Sequence, residues 1–356
     1  MRRREAWIRI LKLSVGAVLL MALVAVGFAN AGEEKAGTTA ANFLNLGSGP
    51  RILGMGGATL GLGQDLAAGA WNPAALGWMD EISVVLSHSG LDNESSQEWA
   101  AVGGRIGKSE TRWSVSGLFQ GDGSFEGRDA SNNPTGSFSV SSFAIGAHVA
   151  QQLGPMVTLG LGAKTVSEKL GDASGMGTTF DAGFCFRHGM VGFGFAAQNV
   201  GGQMKYDGTA YDFPTSYGVG LAFSHPKTGV SLAVDANFPS AYYGDLRTGL
   251  EYRWKDMLAL RAGYRNELGA ADDPLSGPTF GVGGGRNGFW LDYGYLLSGN
   301  SSSGQHRVAL TFLPGMWSGL SNDPFGQGDI PRDFDSNAAD VVGPPAPIDV
   351  AKNKKP

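Results

Sequence analysis

Between Glu81 and Leu313 the chain repeats one pattern: short runs in which every second residue is apolar. In Thr111–Gln120, Trp113, Val115, Gly117 and Phe119 share one face, while Arg112, Ser114, Ser116 and Gln120 share the other. Val157, Leu159, Leu161 and Ala163 alternate with Thr158, Gly160, Gly162 and Lys164. Val230, Leu232, Val234 and Ala236 alternate with Ser231, Ala233, Asp235 and Asn237. Successive strand side chains point to opposite faces, so this period reads as strand with one apolar and one polar face. No segment of the stretch is long and apolar enough to cross a membrane as a helix.

Fourteen such runs can be counted, at 81–88, 97–107, 111–120, 139–152, 156–168, 177–187, 190–199, 214–224, 229–238, 245–254, 257–266, 278–286, 288–297 and 305–313. Most are near the roughly 9–11 residues that a tilted membrane strand needs. The connections alternate between longer ones, such as 121–138 and 200–213, and short ones, such as 108–110 and 225–228. Long outer loops, short periplasmic turns and an even strand number are the pattern of an outer-membrane barrel. The expected fold is therefore all-β: a transmembrane antiparallel barrel of about fourteen strands in the outer membrane of a diderm bacterium, with lipid as its first partner. A soluble sandwich or propeller is the alternative. Against it stand aromatics placed toward strand ends, among them Trp113, Trp254, Tyr252, Tyr264 and Phe312, as in an interfacial girdle. The opposite faces, rich in Gly, Ser and charge, are also too polar for a sandwich core.

Residues 1–31 read as a secretory signal peptide: a basic start, an apolar run Leu13–Phe28, and the small-residue site Ala29-Asn30-Ala31. The rival reading is a membrane anchor. Removing the net +4 of this segment from the formal −5 leaves −9, which gives no reason to expect a nucleic-acid partner. Cys185 is the one cysteine, so an intramolecular disulfide is impossible. Beyond the barrel (81–313), residues 314–356 are rich in Pro, Asp and Gly and read as a flexible periplasmic tail.

Residues 32–80 precede the first wall strand. Within them Asn42–Leu76 is Gly-rich, carries little charge, and has one short helical patch near Gln64–Ala70 closed by Asn72-Pro73. Asn42-Phe43-Leu44, Gly49-Pro50-Arg51, Gly54-Met55-Gly56-Gly57-Ala58, Asp65 and Trp71-Asn72-Pro73-Ala74-Ala75-Leu76 carry a likeness. Their spacing resembles the N-terminal hatch of the PorV/PorQ family of FadL-like outer-membrane barrels. That family usually has Ala before its Arg and a second Asp after the first, where this chain has Pro50 and Leu66. The resemblance implies a periplasmic hatch that plugs the barrel, with Asn42, Phe43, Arg51, Gly54, Gly56, Gly57, Asp65, Asn72, Pro73 and Ala74 as its motif. It also implies a gated channel for small hydrophobic or amphipathic molecules, or an accessory role in a type IX-like secretion system with exported proteins as partners.

The residues themselves suggest no enzyme and no cofactor. Gly54-x-Gly56-x-x-x-x-Gly61-x-Gly63 has the wrong spacing for a dinucleotide fingerprint and follows no apolar strand. The five histidines share no metal-ligand spacing, and no Ser occupies a nucleophile elbow. Asp122, Glu126 and Asp129 could surround a calcium ion, but they fit an ordinary solvated loop better.

Alternation puts Asp235, Arg247, Glu251, Arg253, Arg261, Arg265, Asp292 and Arg307 on the lumen side, since arginine near mid-membrane on the lipid side costs about 2–4 kcal/mol. They form either a salt-bridge ladder that holds the hatch, with Asp65 as a candidate contact, or a site for an anionic head group. Antiparallel partners share a face, so Glu251 opposite Arg261 requires a three-residue turn at 255–257. Arg247 then faces Arg265 with no local acid assigned, and this pair is expected to contact an anion at the outer mouth, whether a loop carboxylate such as Asp272 or Asp273, a lipid or a substrate. The strand count itself is open to test. A tag inserted in 121–138 should label from outside the cell and one in 225–228 from the periplasm; labelling of both on the same side refutes the count.

Overall fold

A computed structural model describes residues 35–91, 95–255, 257–269, 276–297 and 304–314. The expected signal peptide (1–31), Asp272, Asp273 and all but the first residue of the expected tail (314–356) lie outside the described residues. Sixteen strands are present among those described: β1 (Ser83–Gly90), β2 (Ser96–Arg105), β3 (Thr111–Arg128), β4 (Pro134–Leu153), β5 (Val157–Leu170), β6 (Ala173–His188), β7 (Val191–Val200), β8 (Gln203–Tyr206), β9 (Thr209–Asp212), β10 (Ser216–His225), β11 (Val230–Pro239), β12 (Asp245–Trp254), β13 (Leu258–Glu267), β14 (Gly277–Arg286), β15 (Phe289–Leu296) and β16 (Gln305–Phe312). β1 pairs with β16, β7 pairs with β10, and all other neighbours in the wall are consecutive. The β8–β9 hairpin branches from β6 at Gly175 and Met176. Setting it aside leaves fourteen strands in a closed antiparallel ring with no free edge, the architecture of a transmembrane barrel.

The two faces of the ring differ as the alternation requires. Leu86, Leu161, Phe280, Leu291 and Leu310 are exposed on the outer face. Their chain neighbours Val85, Ser87, Gly160, Gly281, Asp292 and Ala309 point inward. A band of large apolar side chains turned away from the protein is stable only against lipid.

Three connections differ from their sequence reading. The stretch 121–138 is mostly strand: β3 and β4 continue as a two-stranded ribbon, with Phe125 opposite Phe138 and their rings stacked at 5.6 Å. The register shifts between Gly121 and Ser124, and both faces of the ribbon meet water, so no period-two pattern marks it. Asp129 spends its carboxylate on the turn, accepting from the Ser131 and Asn133 amides and the Asn133 side chain. The stretch 169–176 shrinks to a turn at Gly171 and Asp172, and 200–213 contains β8 and β9.

The N-terminal segment passes through the ring. Ala40 N–H donates to the Asp212 carbonyl (3.1 Å) and Ala41 N–H to Glu168 Oε2 (3.0 Å), both at the end with the long connections. The chain then forms a 3-10 turn at Asn42–Asn45, α1 (Pro50–Gly54) and α2 (Leu66–Trp71). A second 3-10 turn at Pro73–Trp78 lies against β4, β5 and β6. It leaves at the short-turn end, where Arg112 Nε donates to the Met79 carbonyl (3.1 Å). The segment thus begins at the end with the long connections and leaves at the end with the short turns. The short helix sits close to its expected place, capped by Asp65 through the Ala68 amide (2.6 Å). Pro73 does not lead directly into β1, because Asn72 accepts from Ala74 N–H and starts the second 3-10 turn.

Leu86 lies mid-strand on the outer face and is 57% exposed. Leu86→Arg should therefore destabilise the barrel by about 2–4 kcal/mol in denaturant titrations in lipid, and an unchanged midpoint would mean that this face does not meet hydrocarbon.

Candidate functional site

The inward face and the segment it encloses meet through close backbone packing, polar contacts and apolar clusters. Glycine residues bring the backbones together first: a Cβ on Gly194 of β7 would lie 1.9 Å from the Leu60 carbonyl oxygen. At Gly56, with φ 66, it would lie 2.5 Å from the Thr248 carbonyl oxygen. Gly54 approaches Gly281 and Gly57 approaches the Arg247 side chain in the same way.

At this spacing the segment cannot bring water with it, so wall side chains satisfy its backbone. Asp235 Oδ2 accepts from the Thr59 and Leu60 amides at 2.6 and 2.9 Å. Thr279 Oγ1 accepts from Gly56 N–H and donates to the Gly54 carbonyl, at 2.9 and 3.2 Å. Arg307 Nη2 donates to the Leu46 carbonyl (2.7 Å), Arg187 Nη2 to the Leu62 carbonyl (2.5 Å) and Gln198 Nε2 to the Ala70 carbonyl (3.3 Å). In the other direction, Asn72 donates to the Phe184 carbonyl and to Cys185 Sγ. Phe43 packs with Ala144, Val166, Met204 and Phe213 beneath the β8–β9 hairpin, and Ala74 packs with Ala68 and Cys185.

The charged residues join into a chain. Arg51 contacts Glu251 through Nε and Nη2, at 3.0 and 3.1 Å, and Asp65 through Nη1 at 2.5 Å. Glu251 also receives Arg253 (3.3 Å) and Arg261 (2.7 Å), and Arg261 continues to Asp292 (2.6 Å). Asp65 therefore reaches the wall through Arg51.

The hairpin β12–β13 has Glu251 opposite Arg261, Tyr252 opposite Leu260 and Arg247 opposite Arg265, the register derived from the sequence. One premise is corrected. Arg247 and Arg265 do have local acids, because Asp245 and Glu267 occupy the next inward rung and face each other. Asp245 binds both Arg247 and Arg265, Glu267 binds Arg265, and Trp71 of the segment covers the Arg247 guanidinium at 4.7 Å. The repulsion thought to call for an external anion is neutralised within the wall. Strict alternation along 245–254 and 257–266 marks Asp245 and identifies Glu267 one step further on. Arg187 lies two residues beyond Cys185 and was legible in the same way, whereas nothing in the sequence links Thr279, Gln198 or Glu168 to particular backbone atoms of the segment.

A second polar cluster lies across the lumen, where Asp181 meets Lys164 at 2.9 Å and His148 at 3.2 Å. Among the described residues no group of three or more His, Cys, Asp or Glu is placed to hold a metal ion.

No known family profile matches the chain, and no curated protein matches it in sequence. Solved structures do. The deltaS2S3 mutant of the TodX monoaromatic hydrocarbon channel is 13% identical with a TM-score of 0.51, covering 74% of this chain and 97% of its own. The deltaS2 mutant of the same channel has the same identity, TM-score and share of this chain, over 96% of its own. The CymD monoaromatic hydrocarbon channel is 14% identical with a TM-score of 0.49, over 75% of this chain and 96% of its own. The chain shares the TodX barrel fold. At such identity the likeness is one of fold, and the PorV/PorQ resemblance rests on the N-terminal residues alone.

Glu251 offsets three guanidiniums while itself only 3% exposed. Glu251→Gln leaves them short of a buried partner and should cost about 3–5 kcal/mol, read as a lower urea midpoint. A midpoint equal to that of the parent would show that the ion-pair chain does not hold the segment.

Proposed function

We propose that this protein is an outer-membrane channel for small hydrophobic or amphipathic molecules, and that residues 42–79 act as its hatch. The observation that carries the reading is how the segment is fastened. Among the described residues, no backbone ladder joins 46–79 to a wall strand; the anchors are ion pairs, side-chain-to-backbone hydrogen bonds and close packing. Such a segment can shift without opening any strand pair of the ring, so gating and barrel stability are separable. The apolar side of the segment supports the ligand class. Val85, Trp99, Ala101 and Ala309 form an apolar strip on the β16–β1–β2 side of the lumen, part of a cluster that takes in Leu60, Leu66, Trp71, Leu76 and Met79 of the segment and extends to Ala150 of β4 and Ala196 of β7. A hydrophobic molecule moving beside a displaced segment would meet this strip rather than the ion pairs of β12 and β13. The fold shared with the hydrocarbon channels agrees with this assignment.

The test is conductance. The parent protein should be nearly closed in planar bilayers, and deletion of residues 42–70 should give a heat-resistant barrel with a larger, steady conductance and faster uptake of a hydrophobic dye into proteoliposomes. An intact deletion barrel with the parent's conductance would remove the hatch from this reading.

A further inference from the structure

The inward-facing charges are nearly all matched by carboxylates, and one exception lies beside a cavity. Arg187, near the end of β6, makes no ion pair among the described residues. Its partners are neutral: the Leu62 carbonyl, the Trp78 ring 4.4 Å from its guanidinium carbon, and the Gln64 amide oxygen once that amide is turned to face it. Beside it, at the short-turn end between β6–β7 and β10–β11, lies a cavity of about 50 Å³ that also borders Arg51, Arg253, Ser224, Ser231 and His225. Glu251 is the carboxylate on its lining, and it already receives Arg51, Arg253 and Arg261. Ser231 donates its hydroxyl to Ser224 Oγ (3.1 Å), which leaves the Ser224 O–H as a donor. His225 Nδ1 accepts from Thr228 N–H (3.3 Å), so its ring proton sits on Nε2.

We infer that this cavity is an oxyanion site, taking one phosphate or carboxylate group against Arg187 and Arg253, with the Ser224 hydroxyl as a further donor. Guanidinium forks match such groups in geometry as well as charge. The cavity is small and opens toward solvent, which suits a compact head group. The anion comes either as a free ion or as the head of an amphiphile whose chain stays outside the cavity. The site does not depend on the channel reading, because its occupation requires no movement of the segment.

Calorimetry on the full-length protein in phosphate-free detergent tests it with inorganic phosphate, octyl phosphate and octanol. Phosphate should bind saturably. Arg187→Gln should weaken it about tenfold or more, and Arg187→Lys, which keeps the charge and loses the fork, should fall between. Binding of octyl phosphate alone, lost in Arg187→Gln, also supports the site and identifies an amphiphile as the source. Ser224→Asp places a carboxylate inside the cavity and should abolish anion binding in a folded barrel, which provides the comparison should Arg187→Gln not fold. The inference is overturned if neither phosphate binds more tightly than octanol, or if folded Arg187→Gln or Ser224→Asp binds as the parent does. Anion binding by the parent, with no dye uptake through the intact 42–70 deletion barrel, would refute the channel reading and leave this site standing.

Discussion

A chain that runs through a closed barrel without joining its ladder must find partners for its own backbone, and this requirement decides what the inward face carries. Each unpaired buried amide or carbonyl costs on the order of 1–3 kcal/mol. Segment 46–79 is too irregular to satisfy itself, being built of two helices of five and six residues and a 3-10 turn. The wall makes up the difference residue by residue. Carboxylates meet amides, as Asp235 does at Thr59 and Leu60, while guanidiniums meet carbonyls, as Arg307, Arg187 and Arg112 do at Leu46, Leu62 and Met79. Arginine suits this work because its several donors can serve a carbonyl and a carboxylate together, and because it is more weakly hydrated than lysine.

The same requirement explains the glycines. Hydrogen bonds to backbone need close approach, and where the segment crosses the wall backbone to backbone, as at Leu60 beside Gly194 and Gly54 beside Gly281, no side chain fits between them. The inward-facing glycines at these crossings are therefore a consequence of enclosing a chain within the barrel, while others, such as Gly107, Gly154 and Gly189, serve turns with open space around them. Charge is unevenly distributed around the ring, with β12 and β13 carrying a dense set of ion pairs and β1, β2 and β16 giving Val85, Trp99, Ala101 and Ala309 to the apolar cluster.

The wall was legible in the sequence because two solvents impose period two on it. Lipid outside selects Leu86, Leu161 and Phe280, and the polar interior selects their neighbours, so both the strand positions and the β12–β13 register follow from parity. Where both faces meet water the signal vanishes, which is why the ribbon formed by the ends of β3 and β4 reads as a loop. The segment was legible as a unit from its motif but not as a path. Asp65 was suspected of holding the wall, yet its contact runs through Arg51, because a sequence shows which charges face inward and not which of them meet. Asp245 and Glu267 follow from the same parity, one rung beyond the arginines they neutralise.

Distributing the anchors around the ring has a mechanical consequence. Asp235, Glu251, Thr279, Arg307 and Gln198 come from five different strands, and each holds a different residue of the segment. Breaking one such contact leaves its neighbours in place, so the segment resists small displacements through many weak bonds rather than one strong one. Contacts that share residues do not act independently, however. Arg51 joins Asp65, at the start of α2, to Glu251, and Glu251 joins it to Arg261 and Asp292. Loosening Arg51 would therefore free α1 from the wall and from the cap of α2 together. A barrel held by a continuous ladder and a segment held by side chains form two cooperative units of different stability, the arrangement in which an inner element can open locally while the ring around it stays folded.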